Sequence, residues 1–130
     1  MRVIGIDYGE KRIGIAASDP LGMTAQGISA VEDEDAVCRV IQEYGDVEEV
    51  VVGLPKTMRG EIGPQAQKVL EFIERLKDRL KLKIVPWDER LTTSQADKFL
   101  ISAGVSRAGR KKVIDKSAAA IILQSYLDAH

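Results

Sequence analysis

The run Val50-Val51-Val52-Gly53-Leu54 constrains this chain more than any other stretch of it. Its β-branched, wholly apolar character reads as a strand, stopped by Pro55, in which alternate residues offer no polar face to water. A strand of that kind needs cover on both sides, so the expected architecture is α/β, a sheet with helices on its faces. The chain has 130 residues, 45% of them apolar, enough for one contiguous core. A single domain over residues 1–130 is expected, because no linker, repeat or low-complexity tract interrupts the sequence.

The remaining periodicities supply the other elements. Val3 to Asp7 and Ile13 to Ala17 read as two strands joined by a turn at Gly9, and the weaker run from Ala25 to Ala30 as a third strand at the sheet edge. Asp33 to Tyr44 places Ala36, Val37, Val40, Ile41 and Tyr44 on one helical face, with Gly45 as the C-cap. Pro64 suits the first position of a long helix that ends near Leu80 and turns Val69, Leu70, Ile73, Leu76 and Leu80 inward. Leu82 to Trp87 is a further strand. Thr92-Thr93-Ser94-Gln95 forms a capping box before a helix with Ala96, Phe99, Leu100 and Ala103, closed by Gly104. A last helix is expected from about Val113 to Leu127, with Ala118, Ala119, Ile122 and Tyr126 inward. A hairpin followed by strand-helix-strand units predicts a mixed five-stranded sheet flanked by helices.

Composition removes several chemistries. The only histidine, His130, is the last residue and is expected to fray, so a Ser-His-Asp triad, a Cys-His pair or a His-ligated zinc would rest on an unreliable group. The only cysteine, Cys38, cannot form an internal disulfide and reads as a buried small hydrophobe. The apolar run before Asp7 is too short for a signal peptide or a membrane span, so a cytoplasmic protein with no membrane partner is expected. Catalysis must then use carboxylates, lysines, hydroxyls or bound metal.

Net charge is -1, with no global basic signature. The distribution is more informative. Arg107, Arg110, Lys111 and Lys112 fall in one stretch without an acid, read as a loop, and Lys11, Arg12, Lys56, Arg59 and Arg90 lie beside other loops. These residues are candidates for phosphate contacts, and equally for a solvated surface that keeps the protein dissolved.

Three acids fall where they could meet. Asp7 ends the first strand and Asp88-Glu89 ends the strand at Leu82 to Trp87, the ends at which open α/β sheets form ligand crevices. Asp115 opens the last helix, and its i+3, i+4 and i+7 neighbours are Ala118, Ala119 and Ile122, the apolar face. Singly, each acid has a plain reading as a turn residue, a polar loop or a helix-dipole partner. Together in one crevice they would repel unless a cation intervened. Mg²⁺ or Mn²⁺, which take carboxylate oxygens, water and phosphate, would relieve that repulsion and point to phosphodiester hydrolysis by a two-metal mechanism.

Taken in order, Ile4-Gly5-Ile6-Asp7-Tyr8-Gly9, Val52-Gly53-Leu54-Pro55, Asp88-Glu89-Arg90-Leu91-Thr92-Thr93 and Asp115-Lys116-Ser117-Ala118-Ala119 resemble the YqgF family, also called RuvX, over essentially the whole chain. The resemblance implies a ribonuclease-H-like fold related to resolvases of the RuvC type, with the family acids on Asp7, Glu89 and Asp115. It also implies a metal-dependent nuclease that processes the 5′ end of pre-16S rRNA, with Holliday-junction resolution as the alternative substrate. In that fold Lys56 to Gly63 and Arg107 to Lys112 would border the crevice.

Two other readings compete. The Gly5-Ile6-Asp7-Tyr8-Gly9 segment also looks like the first phosphate-binding turn of the actin and sugar-kinase superfamily, but those enzymes need two lobes, and 130 residues supply one. A non-catalytic nucleic-acid-binding module could keep the fold without cutting, against which stands the retention of all three acids. The sequence leaves open RNA against branched DNA, endo- against exonuclease action, which metal is used, a role for Asp88, and a monomer against a weak dimer.

Overall fold

The computed structural model describes residues 2–57, 59–88 and 107–130, with side chains of the last stretch from Ala118 onward. Its sheet has five strands in the order β3-β2-β1-β4-β5. They are β1 (Arg2–Tyr8), β2 (Ile13–Ser18), β3 (Ala25–Val31), β4 (Val47–Leu54) and β5 (Lys83–Asp88). The first three form an antiparallel meander, and β4 and β5 join parallel to β1. This is the mixed sheet expected, with the edge position of β3 included. The helices are α1 (Glu34–Tyr44), α2 (Pro64–Leu80) and α3 (Arg107–Ala129). The helix expected around Ala96 to Ala103 lies outside the described residues.

Strand alternation divides the core. From β1, Ile4 and Ile6 join Val50, Val52 and Ile84 in a cluster with Val37, Ile41, Val69, Phe72 and Leu76 of α1 and α2. Val3, Val51, Val85 and Trp87 face the other way, onto Ala119, Ile122, Leu123 and Tyr126 of α3. Val50, Val51 and Val52 are each fully buried, which is the two-sided cover their composition demands.

Two of these helices start for a local reason. Asp33 caps α1 by accepting the Ala36 amide at 2.8 Å, and Pro64 opens α2. Arg75 and Arg79 of α2 hold Glu34 of α1 at 2.8 and 3.1 Å, tying the two helices together above the sheet. Cys38 is buried, as its apolar surroundings suggested, and that burial pushes its thiol pKa up.

Four expectations change. The buried face of α2 is Ala66, Val69, Phe72, Ile73 and Leu76; Phe72 stacks on Tyr8 at 4.2 Å, and Leu70 and Leu80 only border the cluster. Tyr44 is exposed, its ring meeting the Arg2 guanidinium 5.3 Å away in place of the core. Arg107 to Lys112 belong to the first turns of α3 rather than to a loop. Arginine, lysine and alanine are good helix formers, and Gly109 is the only opposing residue, at about 1 kcal/mol. His130 is not frayed: its Nδ1 donates to the Tyr126 carbonyl at 2.8 Å and its ring stacks on Tyr126 at 4.1 Å.

The docking of α3 is set by Gly5. A Cβ there would lie 2.6 Å from Leu123 Cβ and 3.0 Å from the Ala119 carbonyl oxygen, so the helix rests directly on the backbone of β1. Further along, Tyr126 lies beside the Glu49 carboxylate near the start of β4, and the Trp87 indole donates to Ser125 at 3.0 Å. Gln124 accepts the Ala25 amide of β3 at 2.9 Å. No described helix is long and apolar enough to cross a membrane.

Two outcomes test this packing. Gly5→Ala should destabilise the protein by about 1–3 kcal/mol in chemical denaturation, because neither Leu123 nor the helix backbone can yield cheaply. Burial, followed by the Glu49 contact, raises the Tyr126 pKa from 10.0 to about 12. The folded state therefore keeps a proton that the unfolded chain loses. The stability this contributes is complete below pH 10 and is lost as pH rises through about 12. Tyr126→Phe should flatten that alkaline decline in thermal melts recorded across the same range.

Candidate active site

Asp7 sits one residue from the end of the central strand, half-buried. Its neighbours fix the face it occupies. Tyr8 stacks on Phe72 on the α1/α2 side, whereas Val3 and Gly5 meet α3, so alternation puts Asp7 on the α3 side. The chain reverses immediately afterwards. Gly9 donates to the Arg12 carbonyl at 3.0 Å, and a Cβ on Gly9 would lie 2.6 Å from that oxygen, so the turn beside Asp7 closes only around a glycine.

The parallel register brings the ends of β1, β4 and β5 to one sheet edge. Ile6 pairs with Val52, Gly53 with Trp87, and Leu54 with Asp88. Gly53 is therefore level with Asp7 and separates it from Trp87, on strands about 4.8 Å apart. Asp88 has the parity of Ile84, which packs on the α1/α2 side, and so belongs to the face opposite Asp7. Glu89 and Arg90 lie outside the described residues.

Two loops edge the same rim. Lys11 and Arg12 are exposed in the turn between β1 and β2. Lys56 and Arg59 follow β4 in a segment braced by Thr57, whose hydroxyl accepts the Glu61 amide at 3.1 Å and whose carbonyl accepts the Gly60 amide at 2.8 Å. Gly60 has φ 81°, a left-handed conformation that suits glycine. Asp115 lies on α3 one turn before Ala119, and Arg107, Arg110, Lys111 and Lys112 lie on the turns before it. The side chains of those five residues fall outside what the structure describes.

Lys68 was not anticipated. It reaches from α2 to Glu10 in the β1–β2 turn at 2.6 Å, which holds the Glu10 carboxyl below its usual range and raises the Lys68 ammonium pKa. Both groups are exposed, so this contact orients the turn more than it stabilises the fold. Nothing in the local sequence pairs two residues so far apart.

The half-buried carboxylate of Asp7 is a hard oxygen donor, and Cys38 belongs to the opposite core, so the donors at this rim suit Mg²⁺ or Mn²⁺ better than a thiophilic ion. Among the described residues no three acidic, histidine or cysteine side chains group closely enough to hold a metal. Two of the three predicted acids, Glu89 and Asp115, have side chains beyond that description.

Comparison with known proteins extends the picture. The profile of the RuvX family, described as a Holliday junction resolvase, matches residues 1–129. A protein from Desulforamulus reducens is 53% identical over 135 residues, covering 99% of this chain and 98% of its own, and one from Caldanaerobacter subterraneus is 55% identical over 136 residues, covering 99% and 97%. Both bear the name "Putative pre-16S rRNA nuclease". Among solved structures, the fowlpox virus Holliday junction resolvase superposes with a TM-score of 0.57 at 17% identity, covering 99% of each chain. Thermus thermophilus RuvC bound to a Holliday junction superposes with a TM-score of 0.56 at 18% identity, covering 99% of this chain and 94% of its own. At such identities the likeness speaks for the fold, which is ribonuclease-H-like. Matched from end to end by the family profile and by relatives more than half identical to it, this chain belongs to the RuvX family.

Proposed function

We propose that the chain is a single-domain, metal-dependent nuclease of the cytoplasm that hydrolyses phosphodiester bonds in processing the 5′ end of pre-16S rRNA. The observation that carries this reading is Asp7, half-buried at the end of the central strand on the face that α3 covers. The names of the relatives support the substrate.

In this reading Asp7, Glu89 and Asp115 hold Mg²⁺ or Mn²⁺ through carboxylate oxygens. From Gly5, which touches the Ala119 turn, Asp7 is two strand residues on, about 6.6 Å. From Ala119, Asp115 is four helical residues back, about 6 Å. The contacts of α3 run from Glu49 at Tyr126 to Gly5 at Ala119, so its earlier turns head toward the Asp7 end. Glu89 has the sequence parity of Val85 and Trp87, which face α3, whereas Asp88 does not. Asp88 is accordingly left out of the metal set.

Bound divalent ions would supply an activated water and a charge to stabilise the leaving oxygen. The protein's own part is to fix the acids, and to steady the strand through phosphate contacts from Lys11, Arg12, Lys56, Arg59, Arg90, Arg107, Arg110, Lys111 and Lys112. Lys68 joins that group beside Lys11. A water activated by a divalent ion needs no histidine as general base.

A second reading, junction resolution, is favoured by the family description. It requires two sites related by symmetry, hence a dimer rather than a monomer. Incubation with Mg²⁺ or Mn²⁺ on a pre-16S leader, a single-stranded RNA and a four-way DNA junction separates the two. Cleavage of the leader alone is expected; cleavage of the junction alone transfers the assignment to resolution, and cleavage of none defeats the nuclease.

Asp7→Asn should lower the metal-dependent rate by more than about 100-fold, since even residues that merely orient metal ligands are worth about 10- to 100-fold. Replacing Arg110, Lys111 and Lys112 together with alanine should weaken RNA binding and reduce the slope of log affinity against log salt by about 0.7 for each phosphate the variant no longer neutralises. An unchanged slope would remove those three residues from the interface.

A further inference from the structure

The net charge of -1 conceals a division of the molecule. Between Pro20 and Pro55 there are eight acids and one base, Arg39, which leaves eighteen bases against twelve acids in the rest of the chain. Of that stretch only β3 and α1 border the β3 edge, since β4 lies between β1 and β5. Part of its charge is neutralised within the fold, because Glu34 and Asp35 pair with Arg75 and Arg79, and Glu49 pairs with Lys83. Glu32, at the end of β3, and Glu43, one turn beyond Arg39 on α1, remain exposed.

Beside Glu32 lies a sheet edge whose own protection is one bulge. β3 is terminal in the strand order, and no described strand pairs with its outer side. The opposite edge, β5, has Lys83 and Pro86, two residues that discourage strand addition. β3 reads Ala-Gln-Gly-Ile-Ser-Ala-Val, with neither a charge nor a proline over seven residues. Its one irregularity is a register shift at Ile15/Ala16 that leaves Ile28 as the extra residue.

Beside this edge lies an open groove of about 590 Å³ between Gly27, Ile28 and Ser29 on the strand and Val40, Glu43 and Tyr44 on α1. The Tyr44 ring is braced from behind by Arg2 at 5.3 Å. We propose that the β3 edge and this groove dock an extended polypeptide segment rich in lysine or arginine, added to the sheet as a sixth strand. Main-chain pairing to β3 would provide binding, and alternate lysine or arginine side chains would enter the groove, their aliphatic stems against Val40 and Tyr44 and their charged heads at Glu43, with Glu32 at the strand end. Charge complementarity selects this occupant over the alternatives. A second copy pairing β3 to β3 would bring two acidic rims together, and a nucleic acid would meet the sign of charge that repels it.

The test uses the full-length protein and a capped heptapeptide of alternating lysine and valine, followed by amide hydrogen exchange and by titration. Saturable binding that slows exchange at β3 amides between Gln26 and Ser29 is expected. Affinity should fall about tenfold or more with Glu43→Lys, with glutamate replacing lysine in the peptide, and with alternate peptide amides N-methylated. The proposal is overturned if β3 amides are unprotected, if the N-methylated peptide binds equally well, or if β3 becomes protected by raising the protein concentration alone, which would make the edge a contact between copies. Glu43 is an exposed helix residue, so circular dichroism of the variant separates lost binding from lost folding.

Discussion

The structure depends on how closely α3 lies on the sheet. With no side chain at Gly5, Leu123 and the Ala119 carbonyl rest on the backbone of β1, and the rest of that face follows from the contact. It gives Val51 its second cover and brings Trp87 within reach of Ser125. A larger residue at position 5 would lift the helix along its whole length, because an interior at crystal-like density does not absorb a local displacement. Packing and chemistry are therefore coupled at a residue that has no chemistry of its own.

Much of this was legible from local pattern. The apolar run at Val50 to Leu54, the glycine turn after Asp7, the Asp33 cap and the proline at Pro64 each act within a few residues, and each element appears where those signals put it. The parallel placement of β5 also followed, since right-handed strand-helix-strand units leave little choice. What the pattern could not show was decided by contacts distant in sequence. Phe72 became the centre of the α2 face because Tyr8 is there to stack on it, and His130 is ordered because Tyr126 and Trp87 form a place for its ring. The basic stretch at Arg107 to Lys112 departs from the expected loop for another reason: charge and a glycine resemble a loop, but helix propensity across the segment outweighs Gly109.

For the candidate site, the sequence located Asp7 and the sheet edge, while the register separated residues that sequence had left together. Asp88 and Glu89 are adjacent in the chain, and only strand parity assigns Asp88 to the α1/α2 face. The ion pair between Lys68 and Glu10 had no local signature at all. The exposed glutamates next to β3, Glu32 and Glu43, are invisible in a net charge of -1 and become meaningful only when β3 is seen to be an open edge.

The central claim is that Asp7, Glu89 and Asp115 share divalent metal at one sheet edge, and Mn²⁺ binding followed by electron paramagnetic resonance tests it without requiring a substrate. Saturable Mn²⁺ binding by the intact protein is expected, displaced by Mg²⁺, and weakened alike in Asp7→Asn, Glu89→Gln and Asp115→Asn while Asp88→Asn retains it. Undiminished Mn²⁺ binding in the first three variants would contradict it.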